Sequence, residues 1–415
     1  MKNWQRYHHC SWYVGLAALF LLTSCSNDSL EQGIANSLEN SPAQIFAVDE
    51  GSSLGITRAL NSELKSFTLF VVDEYYDEDG PIAENVQETK DDAGKWTSKP
   101  FFYLLDDPQN AYGIAPKTTL ENMSKVSITY DSQTFDYSVP ATEQSKVKIA
   151  SRLDFTKKGV NNKLMMTFRD ALFSLQVQAV NEIKDVKIFV KGIKFHNVIP
   201  NGTFKFDKKK ESKGAWTVDV DNRSTCIDYE QIMDEAVELS RTGYLPVVDS
   251  LFTLMPQDLY DNLWYPYDCE WAEEDMKESL SDANTNKHMY IEVMCQITQE
   301  KDGETLYLWG YAPDNDEGKE PYESVFFPYD EEACLSDWLM GINSVYYLEF
   351  NTLTGGYDET GQHITPHPTG GKGSSVFENA EPVPFKVGSN DAGNVDSWEI
   401  PDATEDIEIP MDGKD

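Results

Sequence analysis

Between Ala171 and Phe206 apolar and polar side chains alternate with a period of two, and this constrains the fold more than any other feature. Leu175, Val177 and Ala179 alternate with Gln176 and Gln178, and Val186, Ile188 and Val190 flank Lys187 and Phe189. Ile193, Phe195, Phe204 and Phe206 continue the pattern. Such alternation puts one face of a strand on a core and the other in water. Asn181, Gly192 and Pro200-Asn201-Gly202 punctuate it as turn residues do. Short strands with this punctuation point to antiparallel β-sandwich architecture.

The same signature recurs along the chain. Ser66 to Val72, Val126 to Tyr130, Val147 to Ala150 and Leu164 to Phe168 are strand-like. So are Met289 to Ile297, Thr305 to Trp309, Ser324 to Phe327 and Ser344 to Phe350, with Pro384 to Val387 and Asp396 to Ile400 as closing strands. Ser26 to about Ile56 is polar and reads as a tether, within which Ile45, Phe46 and Val48 can form one strand. Helical spacing of Ile232, Ala236 and Leu239 predicts a short helix over Tyr229 to Arg241. Trp271 to Ser279 is expected to form a second, with acids near its start. The strand rhythm fades between Asp207 and Lys287, which suggests a connection between domains there. Gly355 to Ser375 reads as a loop. The expected class is all-β: two antiparallel sandwich domains, 59–222 and 223–415, with a helical or irregular insertion near 229–285.

At the N-terminus, Lys2 and Arg6 precede an apolar stretch from Trp12 to Leu22, the layout of a secretory signal. The stretch is shorter than the roughly 20 residues a membrane span needs. Leu22-Thr23-Ser24-Cys25 resembles the lipobox of bacterial lipoproteins. The resemblance implies a signal peptide over 1–24 and a lipid-bearing Cys25 that anchors an otherwise soluble protein to the outer membrane.

A net charge of -37 argues against nucleic acid, whose phosphates demand a basic surface. Of six cysteines, Cys10 lies in the signal segment and Cys25 is the lipid site. Cys226, Cys269, Cys295 and Cys334 have no zinc-motif spacing, and both bridges and free thiols remain open. His196 lies in a strand region, and His363 and His367 lie in a polar loop. Phosphate-loop, nucleophile-elbow and zinc-helix motifs do not occur in the sequence. The acids at Asp73-Glu74 and at Asp314, Asp316 and Glu317 fail the calcium-loop pattern. No enzyme activity, cofactor or metal is expected. Trp264-Tyr265-Pro266-Tyr267 and Trp271 offer rings on which a sugar can stack, or packing between domains. A glycan-binding surface lipoprotein is therefore the alternative reading.

The order of several segments resembles the fimbrillins, subunits of type V pili of Gram-negative anaerobes. Ile56-Thr57-Arg58-Ala59 stands before the first strong strand, and Lys95-Trp96 leads to Tyr112-Gly113-Ile114-Ala115-Pro116. Phe168, Ala171-Leu172 and Gly202-Thr203-Phe204 follow, then Phe326-Phe327-Pro328, Trp338, Gly341, Tyr346 to Phe350, Pro384 to Val387 and Trp398. Asp170 stands where many fimbrillins carry histidine. The resemblance implies two transthyretin-like sandwiches and assembly with other pilus subunits by strand exchange, a surface ligand of host or bacterium, and cleavage by an arginine-specific protease. On this chain the cut falls between Arg58 and Ala59, Gln44 to Val48 is the strand removed, and Ile407, Ile409 and Met411 mark the donor strand.

Overall fold

The computed structural model describes residues 41–50, 64–75, 80–259, 262–267, 272–314, 318–329, 338–350 and 357–362. In chain order the strands begin with β1 (Gln44–Asp49), β2 (Ser66–Asp73), β3 (Ala83–Lys90), β4 (Trp96–Lys99) and β5 (Gln109–Ala115). Next come β6 (Met123–Ile128), β7 (Gln133–Ser138), β8 (Lys148–Phe155), β9 (Lys163–Asp170) and β10 (Phe173–Asn181). Then follow β11 (Lys187–Val198), β12 (Asn201–Phe206), β13 (Gly214–Thr217), β14 (Ile227–Glu238) and β15 (Leu245–Pro246). The series closes with β16 (Phe252–Leu254), β17 (Tyr290–Lys301), β18 (Glu304–Trp309), β19 (Glu323–Phe327) and β20 (Asn343–Phe350). One α-helix, α1 (Leu280–Asn286), and two short 3-10 turns complete the described elements. The fold is all-β.

A seven-stranded sheet runs in the order β1-β9-β8-β5-β2-β3-β4. Its strand β2, between β5 and β3, is buried from Phe67 to Asp73, as a strand covered on both faces must be. Phe70 and Val72 face one core, where Tyr112 of β5 packs on Phe206 of β12 with ring centroids 5.0 Å apart. That core is closed by a four-stranded sheet, β13-β12-β7-β6. Phe67, Leu69 and Val71 face the other way. There Phe67 touches Trp96 of β4 at 5.0 Å and Phe168 of β9 at 4.7 Å, centroid to centroid. One ring meets strands from both flanks of the sheet, so the sheet curls around a second core. Gly113 of β5 makes room for this curl, because a Cβ there would sit 2.7 Å from the Phe168 ring.

β10 pairs with β15 and β16 antiparallel and with β20 parallel. β11 lies between β14 and β17, and β17 also carries β18 and β19. These two sheets meet through Phe195, which packs on Phe252 at 4.8 Å and Tyr346 at 6.3 Å. The chain thus leaves the first set of sheets at β10 and returns to it with β12 and β13.

The strand expectations from Ser66 to Val72, Val147 to Ala150, Leu164 to Phe168 and Met289 to Ile297 correspond to β2, β8, β9 and β17. The helix expected over Tyr229 to Arg241 is instead β14, paired antiparallel to β11. Tyr229 is fully buried while Ile232 is exposed, so the helical spacing of apolar residues was accidental. β11 has an unsatisfied flank that only a neighbouring strand can pair. Among the described residues 272–279 the second expected helix, over Trp271 to Ser279, is also absent: 274–276 form a turn, and α1 starts after Ser279. The Ser279 hydroxyl accepts from the Asp282 amide, which caps that start. The faded rhythm between Asp207 and Lys287 conceals β13 to β16. Pro384 to Val387 and Asp396 to Ile400 lie outside the described residues.

Candidate functional site

β1 occupies the edge of the curled sheet and pairs in parallel with β9, from Gln44 opposite Lys163 to Asp49 opposite Phe168. A parallel partner cannot be joined by a tight hairpin, so this ladder depends wholly on the tertiary fold. Ile45 is its one buried apolar side chain, seated in the core with Phe102, Leu164 and Phe168. Ala43 and Ala47 pack beside it, while Phe46 and Val48 face outward and are exposed. Burying an isoleucine is worth about 2 kcal/mol. β1 is therefore held by one knob, a backbone ladder and its two ends.

The first end is clamped by polar contacts. The Asn162 side-chain amide donates to the Ser41 carbonyl at 3.2 Å and the Pro42 carbonyl at 3.1 Å. The Ala43 amide donates to the Phe102 carbonyl at 2.9 Å, which bridges β1 to the segment after β4. The Gln44 amide donates to the Asn162 carbonyl at 3.0 Å.

The second end is ionic. Lys148 Nζ lies 2.9 Å from Asp49 Oδ1 and 2.5 Å from Asp170 Oδ1, and Lys146 Nζ reaches Asp170 Oδ2 at 3.3 Å. Lys148 is only 5% exposed. Burial works against its charge, but Asp170 and Asp49 outweigh that and hold the ammonium above its ordinary pKa. Beside it Arg169 Nη2 meets Glu50 Oε2 at 2.7 Å, and the Glu50 amide donates to the Phe168 carbonyl at 2.9 Å.

Lys148 also borders a cleft of about 920 Å³, with Lys65, Gln144, Lys146, Gln231 and Phe252. The polar ends of its glutamines serve its own walls. Gln144 Oε1 accepts from the Thr253 amide at 2.8 Å, and Gln231 Oε1 accepts from Ser250 Oγ at 3.1 Å.

The expected strand Gln44 to Val48 is thus present as β1. Cys25, Arg58, Ala59, Ile407, Ile409 and Met411 lie outside the described residues, as do Trp271, His363, His367, Cys269 and Cys334. Trp264 is fully buried, donates its indole N–H to the Glu278 carbonyl at 3.1 Å and packs on Tyr290, so it offers no face to a sugar. Cys226 and Cys295 are free thiols, and burial pushes Cys295 up to about 12. Among the described residues no group of three or more His, Cys, Asp or Glu is arranged to hold a metal, and no helix is long and apolar enough to cross a membrane.

His196 is held between two carboxylates, with Nε2 2.6 Å from Glu292 and Nδ1 3.2 Å from Asp228, and it stacks on Tyr290 at 4.3 Å. Burial opposes its charge, yet the two carboxylates raise its pKa above the ordinary value. Burial works against the charge of Asp228 and Glu292, but both fall below their ordinary values, because His196 acts together with the Asn197 amide and Lys194 at Asp228 and with Ser324 and Lys194 at Glu292. This triad ties β14, β11 and β17 together. Sequence reasoning did not find Lys148, Asn162 or Arg169. The available signal for Lys148 was a lone cation inside the apolar run Val147 to Ala150.

No family model and no curated protein matches the chain. Solved structures similar to it include a fimbrial protein from Bacteroides vulgatus, 12% identical at a TM-score of 0.48, covering 75% of this chain and 95% of that one. A structure described as a putative cell adhesion protein from Bacteroides uniformis is 10% identical at 0.35, covering 69% and 87%. The fimbrial anchor protein Mfa2 from Porphyromonas gingivalis is 10% identical at 0.28, covering 74% and 91%. At such scores a likeness by itself decides nothing about function.

Proposed function

We propose that the chain is a fimbrillin-like surface lipoprotein, anchored through Cys25, that serves as a structural or adhesive subunit of a type V pilus built by strand exchange. The observation that carries this reading is β1. It is a six-residue edge strand, joined to β9 by a ladder and to the core by one side chain, and the chain passes through Arg58-Ala59 before β2 begins. Cutting after Arg58 removes the covalent link between β1 and the body. Departure of β1 then bares the backbone donors and acceptors of β9, an edge that templates another strand. The segment around Ile407, Ile409 and Met411 alternates as a donor strand does and is the proposed insert for a neighbouring subunit. The sandwiches supply rigid links rather than catalysis.

Treatment of surface-expressed protein with an arginine-specific protease tests the reading. New N-termini at Ala59 together with incorporation into polymers with the other pilus subunits, seen in electron micrographs, are expected, and Arg58→Ala should give neither. Polymers of normal length carrying an intact Arg58-Ala59 bond would overturn it. Palmitate incorporation lost in Cys25→Ser tests the anchor, and labelling that persists refutes it.

A further inference from the structure

The ion cluster at the end of β1 contains two ammonium groups, Lys146 and Lys148, facing two carboxylates, Asp49 and Asp170. Only Asp49 belongs to β1. Departure of β1 leaves two cations against one anion, where Lys148 is nearly sealed from solvent while β1 is in place. An occupant that covers Lys148 as β1 does but brings no carboxylate leaves the ammonium buried and short of a partner, which is strongly unfavourable. Arg169 loses Glu50 when β1 departs, at a more exposed position. The bare edge is thus short of negative charge at one defined register, and short of an apolar knob at another, that of Ile45.

We infer that the edge of β9 selects its occupant by charge as well as shape: it takes a parallel strand from a different subunit, with an apolar residue at the register of Ile45 and a carboxylate at that of Asp49. The inference rests on the strand-exchange reading above and names the partner chemistry of that same site. The chain's own tail is a poor occupant. Seating Ile407 in the place of Ile45 puts Ile409 at Ala47, Pro410 at Val48 and Met411 at Asp49. Met411 brings no charge to Lys148 in that register; seating Met411 itself in the place of Ile45 brings Asp415 to that of Asp49 but puts Pro410 at Gln44, whose amide donates to Asn162. Pro410 brings no N–H either, although its register must donate one: Gln44 and Glu50 both donate toward β9, and strand alternation gives Val48 the same direction. The edge therefore discriminates against a second copy of this chain's tail and favours an acid-bearing strand from another protein.

Labelled peptides competing for the full chain cut after Arg58 test this. A peptide spanning Ser41 to Gly51 should enter the edge. Its Asp49→Asn form should bind about 10-fold more weakly or worse, the loss of a charge-assisted contact. The Asp402 to Asp415 peptide should compete no better than the Asp49→Asn form. In Lys148→Met protein the difference between the native peptide and its Asp49→Asn form should vanish; because the peptide series alone carries the test, failure of that variant to fold does not rescue the inference. Equal competition by the native and Asp49→Asn peptides, or tight binding of the tail peptide, would overturn the inference and leave strand exchange standing. Entry of no peptide, the native one included, would sink strand exchange and the inference with it.

Discussion

Glu88 sits on β3 with its side chain in the core of the curled sheet, opposite Phe67 on one side and Ser98 on the other. It is fully buried, and neither carboxyl oxygen makes a well-formed hydrogen bond. Loss of water raises its pKa from 4.5 to about 7, and the nearby Ser98 hydroxyl pulls only weakly the other way. A carboxyl raised in the fold binds its proton more tightly there than in the unfolded chain. Between pH 4.5 and 7 the folded state therefore holds the extra proton, and stability falls as pH rises through that window. The full difference is about 3 kcal/mol, at roughly 1.4 kcal/mol per pKa unit. Glu88→Gln keeps the shape and removes the titration. The urea midpoint of the variant relative to the natural protein should rise between pH 4.5 and pH 8 by the equivalent of about 3 kcal/mol, with m unchanged. Other titrating groups cancel in the comparison. Parallel pH profiles for the two proteins would refute the reasoning.

Three further outcomes follow from named contacts. The charged His196 stabilises the fold fully below its unfolded pKa of about 6.5, and that contribution is lost as pH rises through the raised folded value. His196→Gln should cost about 3 kcal/mol at pH 6 and clearly less at pH 9, read by thermal unfolding at both. Tyr229→Phe removes a buried hydrogen bond to the Val139 carbonyl, 3.0 Å away. It should cost about 1–2 kcal/mol in a denaturant titration, and an unchanged midpoint would mean that bond is dispensable. Gly113→Ala drives a methyl into the Phe168 ring. It should cost about 1–3 kcal/mol and speed amide exchange in β9 first, and uniform exchange across the sheet would contradict this local account.

The strands of the core were legible because burial on one face writes a period of two into the residues, as in β10 and β17. β14 was not legible: its outer face carries Ile232 beside Glu230 and Asp234, so its alternation is blurred. Ile45 announced a strand but not its partner. A parallel ladder to β9 leaves no local trace, since its two strands are far apart in sequence. The ionic end of β1 was hidden for the same reason, as Asp49, Lys148 and Asp170 come from three separate strands.

By itself, then, the amino-acid sequence determined that the chain is built from short strands, where most of them lie, and which side chains must leave water. Those are consequences of local alternation and side-chain chemistry. Only the tertiary structure decided which edges meet, that the first sheet curls until Phe67 touches both flanks, and that a lysine inside an apolar run finds two carboxylates. Hydrogen-bond ladders and buried charges are satisfied by whatever the fold brings within reach, and that is a property of the folded chain as a whole.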